Sequence, residues 1–230
     1  MLRTTLSPRD AMVVRQVGRL GQMSTAHLRA ALFHGVTQTP LDRSLSRLVR
    51  ARYLLPVGRR VSSAKGGAGS VVYQLGPRGW VMLEKPGRYW PYRSVNEHSL
   101  RAADVYVALL AAEREGHLKV LSFELEKPVG DARADVWLEL GLVARRVRVP
   151  YCLEIDLGTE RPSRIAEKCA AYWRAYDTST AETFPYIVFV VPDEWRRSEI
   201  TRLIEKFDDK RRALYRVCLF DELVPELLKP

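Results

Sequence analysis

Residues 39–50 read Thr-Pro-Leu-Asp-Arg-Ser-Leu-Ser-Arg-Leu-Val-Arg and carry two interleaved helical patterns. The leucines stand at positions 41, 45 and 48, and the arginines at positions 43, 47 and 50. At about 100° per residue, the arginines lie roughly opposite the leucines. The stretch therefore predicts a helix with one packing face and one face that presents Arg43, Arg47 and Arg50 to a DNA groove. A solvated basic face is the plainer alternative.

The elements around this helix predict a small DNA-binding domain. Two helix starts precede it, at Ser7-Pro8 and at Ser24. Two strands follow, at 53–57 and 70–75, and the loop between them is rich in glycine and in basic residues, namely Arg59, Arg60 and Lys65. This order resembles the winged helix-turn-helix family. The resemblance implies that the three loop cations lie along the phosphate backbone of duplex DNA.

The positive charge is concentrated in the N-terminal part of the chain. Residues 1–93 contain 16 Lys/Arg and 3 Asp/Glu, a net charge of +13, whereas residues 94–230 contain 21 and 24, a net charge of −3. A basic block beside a near-neutral body is typical of a module that binds a polyanion. A general basic surface without a specific partner is the alternative.

The chain is predicted to form two domains, a winged helix-turn-helix over residues 1–90 and an α/β domain over residues 94–230. The segment between them contains Pro86, Pro91 and three aromatic residues, which predicts a linker. Its aromatics are expected to dock the two domains, with stacking on DNA as the alternative. The second domain has the element order α-β-β-β-α-β-α-β-α. We therefore expect an α+β or α/β fold with a mixed central sheet and helices on both faces.

Acidic residues and one lysine form the candidate chemical site. Asp135 begins one predicted strand, and Glu154 and Asp156 share a face of the next strand. Carboxylates on adjacent strands suit a hard cation, so Asp135 and Glu154 are the candidate metal ligands and Mg²⁺ is the candidate cofactor. Lys168 is placed to face them. In the plainer reading, Asp135 follows a turn and Lys168 is the structural partner of Glu154.

The order of these residues resembles the PD-(D/E)xK nuclease fold. Glu97, Asp135 and Glu154 match its glutamate-bearing helix and its acidic strands in order and spacing. The resemblance implies catalytic roles for them, with Lys168 as a relocated lysine. Asp156 stands where that fold has lysine, and this departure argues against cleavage. Glu97 also fits a capping box that begins at Ser94.

A second resemblance covers nearly the whole chain. The basic N-terminal domain, the Arg133-Ala134-Asp135 strand, the Glu-Ile-Asp-Leu-Gly-Thr-Glu stretch at 154–160, and the helix with Lys168 and Tyr172 are similar to the replication-relaxation family. Members of this family occur on plasmids and integrating elements. The resemblance implies a role in plasmid replication and DNA relaxation, with double-stranded DNA and replication or relaxase proteins as partners.

Three functions follow as hypotheses. The first is a sequence-specific duplex-binding protein that supports replication or relaxation, the second a metal-dependent endonuclease or nickase, and the third a transcriptional repressor whose C-terminal domain dimerises or senses a ligand. The three cysteines form no C-x-x-C pair, and there is no apolar leader or long apolar run. These features predict a reduced, cytoplasmic protein without a membrane partner. A homodimer is left open.

Overall fold

The computed structural model describes residues 6–60 and 69–229 of the chain. The chain divides into two compact units, Met1–Val107 and Ala108–Pro230. The division falls inside a helix, whereas the sequence predicts domains over residues 1–90 and 94–230. Within the described residues, no helix combines the length and the apolar character needed to cross a membrane.

The first unit begins with three helices. They are α1 (Pro8–Leu20), α2 (Thr25–Leu32) and α3 (Gln38–Arg50). The Ser7 hydroxyl caps α1 by accepting a hydrogen bond from the Asp10 backbone N–H at 3.1 Å. The Ser24 hydroxyl likewise accepts from the His27 N–H at 3.2 Å, and the His27 ring Nδ1 accepts from the Ser24 N–H at 3.1 Å. Helix α3 begins one residue before the predicted start, and its N-cap makes no side-chain hydrogen bond.

A three-stranded antiparallel sheet completes the core of this unit. Its strands are β1 (Gln22–Ser24), β2 (Leu54–Arg60) and β3 (Ser70–Leu75), in the order β1-β3-β2. Strand β1 was not predicted, because three residues are too few to show a strand period. The short helix α4 (Pro77–Met82) follows, and α5 (Glu97–Arg114) runs from the first unit into the second. Apolar side chains that are fully buried include Val13, Leu20, Leu28, Leu41, Leu48 and Leu54.

Two buried glutamines hold the segment between α4 and α5 onto the sheet. Gln22 and Gln74 are cross-strand partners of β1 and β3, and both are buried. The Gln74 amide accepts from the Tyr92 N–H and donates to the Tyr92 carbonyl, both at 2.9 Å. The Gln22 amide donates to the Ser94 carbonyl at 3.1 Å and accepts from the Asn96 N–H at 2.7 Å. Residues 92–96 are therefore anchored through their backbone.

A buried carboxylate joins α1 to α3. Asp10 is 4% exposed and accepts a hydrogen bond from the Ser44 hydroxyl. The Arg47 guanidinium donates to the same carboxylate from Nε at 3.2 Å and from Nη2 at 3.0 Å. A bidentate pair of this kind fixes the geometry as well as adding energy. The position of α3 on α1 is therefore set by Asp10.

The second unit contains a five-stranded sheet in the order β4-β5-β6-β7-β8. The strands are β4 (Leu118–Val129), β5 (Ala132–Leu142), β6 (Val147–Ile155), β7 (Tyr186–Val191) and β8 (Tyr215–Leu219). The β4-β5 and β5-β6 pairs are antiparallel, and the β6-β7 and β7-β8 pairs are parallel. The expected mixed sheet and α+β class are therefore present. Strand β5 begins at Ala132, three residues before the start predicted at Asp135.

Helices lie on both faces of this sheet, as predicted. They are α6 (Pro162–Thr178), α7 (Glu194–Ile204), the single turn α8 (Asp209–Arg212) and α9 (Leu223–Leu228), which follows a 3-10 turn at Phe220–Glu222. Helices α6 and α7 pack Ile165, Tyr172 and Ile200 into a core with Cys152 and Phe189 of the sheet. On the opposite face, the Tyr151 hydroxyl donates to the Leu227 carbonyl of α9 at 2.8 Å.

Replacing Asp10 tests the anchor between α1 and α3. Asp10→Ala is expected to lower the free energy of unfolding by about 1–3 kcal/mol, because Ser44 and Arg47 lose their acceptor. The matched control is Asp42→Ala, an exposed carboxylate bonded to Gln38, which should change the free energy by at most about 0.5 kcal/mol. Urea unfolding followed by circular dichroism measures both. Equal losses in the two variants would show that Asp10 anchors nothing.

Candidate functional site

Helix α3 separates its leucines from two of its three predicted arginines. Leu41, Leu45 and Leu48 are at most 3% exposed and pack into the first unit. Arg43 and Arg50 are exposed, and among the residues the structure describes neither has a hydrogen-bond or ion-pair partner. Both border an open depression of about 360 Å³, which Thr39, Asp42, Ser46 and Arg47 also line. The helix therefore presents two unengaged guanidiniums to solvent.

Arg47 differs from the expectation for this face. Its guanidinium is bound to both oxygens of Asp10, although 58% of its side chain remains exposed. The reason is long-range: Asp10 is 37 residues away in sequence and lies under α3 only after α1 packs there. Arg47 is thus a positioning residue for α3, and Arg43 and Arg50 are the contact candidates.

The hairpin cations also divide into two kinds. Arg59 is exposed and donates to the Gly69 carbonyl at 3.0 Å. Arg60 forms a two-point ion pair with Asp104 of α5, with both contacts at 2.8 Å, and its Nε lies 3.5 Å from Glu97. Lys65 lies outside the described residues. Arg60, expected on the phosphate backbone, therefore joins the hairpin to α5 instead.

Asp104 is the centre of this junction. Burial alone would raise its pKa, but hydrogen bonds from His27 and Arg60 outweigh burial and lower the pKa of Asp104 to about 2. The His27 Nε2 lies 2.8 Å from the Asp104 carboxylate. Since the His27 Nδ1 accepts from a backbone N–H, its Nε2 carries the proton and donates. The carboxylate therefore stays charged throughout the physiological pH range.

Glu97 lies in the first unit, at the start of α5, with an exposed side chain near Arg60. The capping expectation that involved Ser94 is wrong in detail. The Asn96 side chain, and not Ser94, accepts from the Ser99 N–H at 3.1 Å. Asn is a favoured capping residue because its short side-chain oxygen reaches the unpaired N–H groups of a helix start.

In the second unit, Glu154 lies on β6 and is 1% exposed. The Tyr172 hydroxyl donates to its Oε1 at 2.5 Å, and the Lys168 Nζ lies 2.9 Å from its Oε2. Lys168 and Tyr172 are four residues apart on α6, so they project from the same side of the helix. Lys168 also donates to Glu160 at 2.9 Å. The expected contact between Glu154 and Lys168 is present.

Burial and neighbouring charges shift the pKa values of Glu154, Lys168 and Tyr172. Burial, followed by the nearby charge of Asp135, raises the pKa of Glu154 to about 7, in spite of the opposing effects of Lys168 and Tyr172. Burial lowers the pKa of Lys168, but Glu154 and Glu160 outweigh it and raise that pKa overall. Burial and Glu154 both raise the pKa of the Tyr172 hydroxyl. Glu154 is therefore the group that titrates near neutral pH.

Asp135 is adjacent to Glu154, as the sequence predicts. The antiparallel β5-β6 pairing ends with Val136 opposite Leu153. Asp135 precedes Val136 and Glu154 follows Leu153, so these two residues are adjacent beyond the end of the pairing. The Asp135 Oδ2 accepts from the Ile155 N–H at 2.7 Å. This carboxylate therefore secures the end of β6.

Asp156 does not face Lys168, which corrects the expectation of three converging carboxylates. It is 4% exposed, and the Arg196 Nε of α7 donates to its Oδ2. Its Oδ1 accepts from the Gly158 N–H at 2.7 Å, in a turn where Gly158 has φ +79°. Strand β6 ends at Ile155, and the Asp156 backbone N–H still donates to the Val190 carbonyl of β7 at 3.0 Å.

Sequence reasoning missed Arg196. Its guanidinium also donates to Glu199 at 2.5 Å and to the Glu160 carbonyl at 2.7 Å, and its side chain is 3% exposed. The signal was the spacing of Arg196, Ile200 and Ile204, which recur at i, i+4 and i+8 on the buried side of α7. A buried arginine requires a compensating carboxylate, and Asp156 provides it here.

These side chains do not fit a Mg²⁺ site. Such an ion takes six oxygen ligands in near-ideal octahedral geometry. Here, one Glu154 oxygen accepts from Tyr172, the other faces the Lys168 ammonium, and an Asp135 oxygen is bonded to backbone. Lys168 already supplies the positive charge, and no step is assigned to a metal.

Comparison with known proteins gave one match. A family model described as replication-relaxation matches residues 14–191, from α1 through β7. The searches of curated proteins and of solved structures returned no match. The matched range includes α3, the β2–β3 hairpin and the Glu154 cluster, but ends before Arg196.

Replacing Lys168 tests its role as the compensating charge. Because the folded-state pKa of Glu154 lies above its ordinary value of 4.5, the stability contributed by Glu154 is fully present below about pH 4.5 and is lost as the pH rises through about 7. Lys168→Met should therefore cost about 3 kcal/mol at about pH 8 but half of that or less at about pH 5, where Glu154 holds a proton. Urea unfolding at the two pH values measures this. The exposed Lys206→Met is the control, and a pH-independent loss in Lys168→Met would contradict the assignment.

Adjacent arginines on α7 provide a matched pair for the Asp156 contact. Arg196→Met should lower the free energy of unfolding by about 3–5 kcal/mol, because it leaves a buried carboxylate unpaired. Arg197→Met removes a more exposed arginine that pairs with Glu194 and Glu222, and should cost much less than Arg196→Met because water screens an exposed ion pair. Thermal unfolding compares the two. Similar losses would show that Asp156 does not depend on Arg196.

Proposed function

The chain belongs to the replication-relaxation family, and we propose that it binds double-stranded DNA through its first unit. The family membership suggests a role in the replication or relaxation of mobile elements, so the proposed DNA is that of a plasmid or a related element. In this proposal the first unit acts as a winged helix-turn-helix. Its helix α3 enters the major groove, and the β2–β3 hairpin lies along the backbone.

The observation that carries the proposal is the exposed face of α3. Arg43 and Arg50 lie opposite the buried leucines and have no partner within the described residues. Arginine is the side chain best suited to guanine edges in the major groove, because its fork can donate to two acceptors at once. Because Arg43 and Arg50 are exposed and have no partner among the described residues, their guanidiniums can replace water with acceptor groups of DNA.

The charge distribution supports the same face. Residues 1–93 have a net charge of +13, which attracts duplex DNA over several ångströms and releases counterions on binding. Arg59 lies exposed on the hairpin and is the described candidate for phosphate contact there. These contacts would orient the unit on DNA, while α3 would read the bases.

Arg47 and Arg60 are proposed to act indirectly. Arg47 holds α3 on α1 through Asp10, and Arg60 holds the hairpin on α5 through Asp104. Their charges are largely compensated by these carboxylates, so they contribute less to the attraction for DNA than Arg43 and Arg50. Their role is to keep helix and hairpin in one arrangement, which lowers the entropic cost of binding.

The second unit is proposed to serve in replication or relaxation without cutting DNA itself. Asp156, which stands where the PD-(D/E)xK fold has lysine, is neutralised by Arg196, and Glu154 is engaged by Lys168 and Tyr172. Nicking would then come from a relaxase or replication protein that acts with this chain. Its own carboxylates serve the packing of α6 and α7.

The decisive experiment enriches binding sites from a random duplex pool and then measures affinity by fluorescence anisotropy. Arg43→Ala and Arg50→Ala should each weaken the selected site by about 5- to 150-fold, as expected for loss of a base contact, and should relax base preference. Arg202→Ala, an exposed arginine on α7, is the control and should bind as the wild type does.

Two outcomes would contradict the proposal. If Arg43→Ala and Arg50→Ala both bind the selected site normally, α3 is not the reading helix. If pure protein nicks supercoiled plasmid with Mg²⁺ or Mn²⁺ and Glu154→Ala does not, the second unit is a nuclease. The nicking assay is run beside the binding assay on the same protein samples.

A further inference from the structure

The first unit has an aromatic pocket that includes no residue of α3. Its volume is about 310 Å³, and its walls include Trp80, Tyr89, Trp90, Tyr92, Pro86 and Pro91. Lys85 also lines it. The size is at the lower end of pockets that hold a small molecule or one planar group.

The pocket is held rigidly on one side. The Gln74 side chain binds both backbone groups of Tyr92, and the Tyr89 hydroxyl donates to the Leu75 carbonyl at 3.0 Å. The Tyr89 ring also meets Trp80 edge to face, with ring centroids 5.9 Å apart. The aromatic segment therefore loses little conformational freedom when a ligand binds.

Two aromatic residues of this segment are not used for packing. Trp90 is 69% exposed and Tyr92 is 53% exposed, whereas Tyr89 is partly buried. Aromatic residues are enriched at interfaces relative to the rest of a protein surface, and these two line the same pocket. Within the first unit, Trp90 and Tyr92 are therefore accessible to a ligand.

Trp80 adds an unmet polar group. Its indole Nε1–H is buried and has no hydrogen-bond partner in the part of the chain that the structure describes. An indole nitrogen is a donor only, so it requires an acceptor. An unpaired buried donor costs free energy that a ligand carbonyl or ring nitrogen would recover.

The surrounding charge favours an anionic ligand. Lys85, Arg88 and Arg93 outnumber the single acid of residues 84–93, which is Glu84. Arg88 and Arg93 are exposed and have no partner among the described residues. Aromatic side chains beside cations are the combination that binds single-stranded nucleic acid, since bases stack on rings while the backbone meets the positive charge.

We propose that this pocket takes an unstacked base of single-stranded DNA, with Trp90 and Tyr92 as stacking surfaces and Lys85, Arg88 and Arg93 on the adjoining phosphates. Single strands arise wherever a duplex is opened or nicked. The site is separate from the duplex contact of α3, so the chain would hold both forms of DNA through one unit. A proline-rich peptide would also suit the aromatics, but it would leave the cations unused.

The test measures binding of the full chain to a fluorescein-labelled oligothymidylate of about 12 nucleotides. Trp90→Ala and Tyr92→Ala should each weaken this binding by about fivefold or more, as loss of one stacking partner does. Trp195→Ala is the matched control, because Trp195 is 70% exposed on α7 in the second unit, and it should bind normally. Binding to the selected duplex should be unchanged in Trp90→Ala and weakened in Arg43→Ala, so the two sites are separable.

Three results would overturn the proposal. The first is wild-type affinity for the oligothymidylate in both Trp90→Ala and Tyr92→Ala. The second is an equal loss in Trp195→Ala. The third is tryptophan quenching by a proline-rich peptide, absent in Trp90→Ala, without any binding of the oligothymidylate. Circular dichroism melts confirm that each variant is folded before its affinity is compared.

Discussion

The packing of the second unit depends on a carboxylate buried in its core. Glu154 is 1% exposed among apolar side chains, where an unpaired charge would cost several kcal/mol. Lys168 and Tyr172 compensate it from a single face of α6. Because both partners must reach one carboxylate, the rotation of α6 about its axis is fixed. Hydrophobic packing of Ile165 and Cys169 alone would permit small shifts that this polar contact forbids.

Carboxylates paired with a cation from another element also join other helices and strands. Asp10 joins α1 to α3 through Arg47, Asp156 joins the end of β6 to α7 through Arg196, and Asp104 joins α5 to the hairpin through Arg60. In each case a buried or half-buried acid is matched by an arginine from a distant element. Removing one partner of such a pair is costly even where the pair itself adds little net stability. The junctions therefore specify geometry more than they add stability.

This arrangement separates two kinds of arginine in a very basic unit. Arg47 and Arg60 are committed to internal carboxylates, while Arg43 and Arg50 are exposed. Charge counting alone treats all four alike. The structure shows that the arginines which hold α3 and the hairpin in place are paired with carboxylates, whereas Arg43 and Arg50 have no partner among the described residues. The paired arginines keep the surface rigid, and the exposed arginines stay hydrated until a ligand binds. This lowers the entropic cost of binding.

Local patterns in the sequence were sufficient for most elements. The amphipathic period of α3, the helix starts at Ser7 and Ser24, and the succession of five strands along the second unit all follow from patterns within a few residues. The adjacency of Asp135 and Glu154 followed from consecutive strands, and the Glu154–Lys168 contact from the helix that comes next. Strand β1 and helix α8 were missed, because three or four residues carry no period that a sequence can show.

Only the tertiary structure decided which charged side chains form ion pairs inside the protein. Arg47 meets Asp10 across 37 residues, and Arg196 meets Asp156 across 40 residues. The hydrogen bonds from Gln22 and Gln74 to the backbone of residues 92–96 likewise depend on the complete sheet. The exposed position of Trp90 and Tyr92 depends on it too. The physical reason is that burial, which makes an ion pair obligatory, is a property of the packed chain. The sequence specifies where charges and periods lie, whereas packing determines which of those charges leave water.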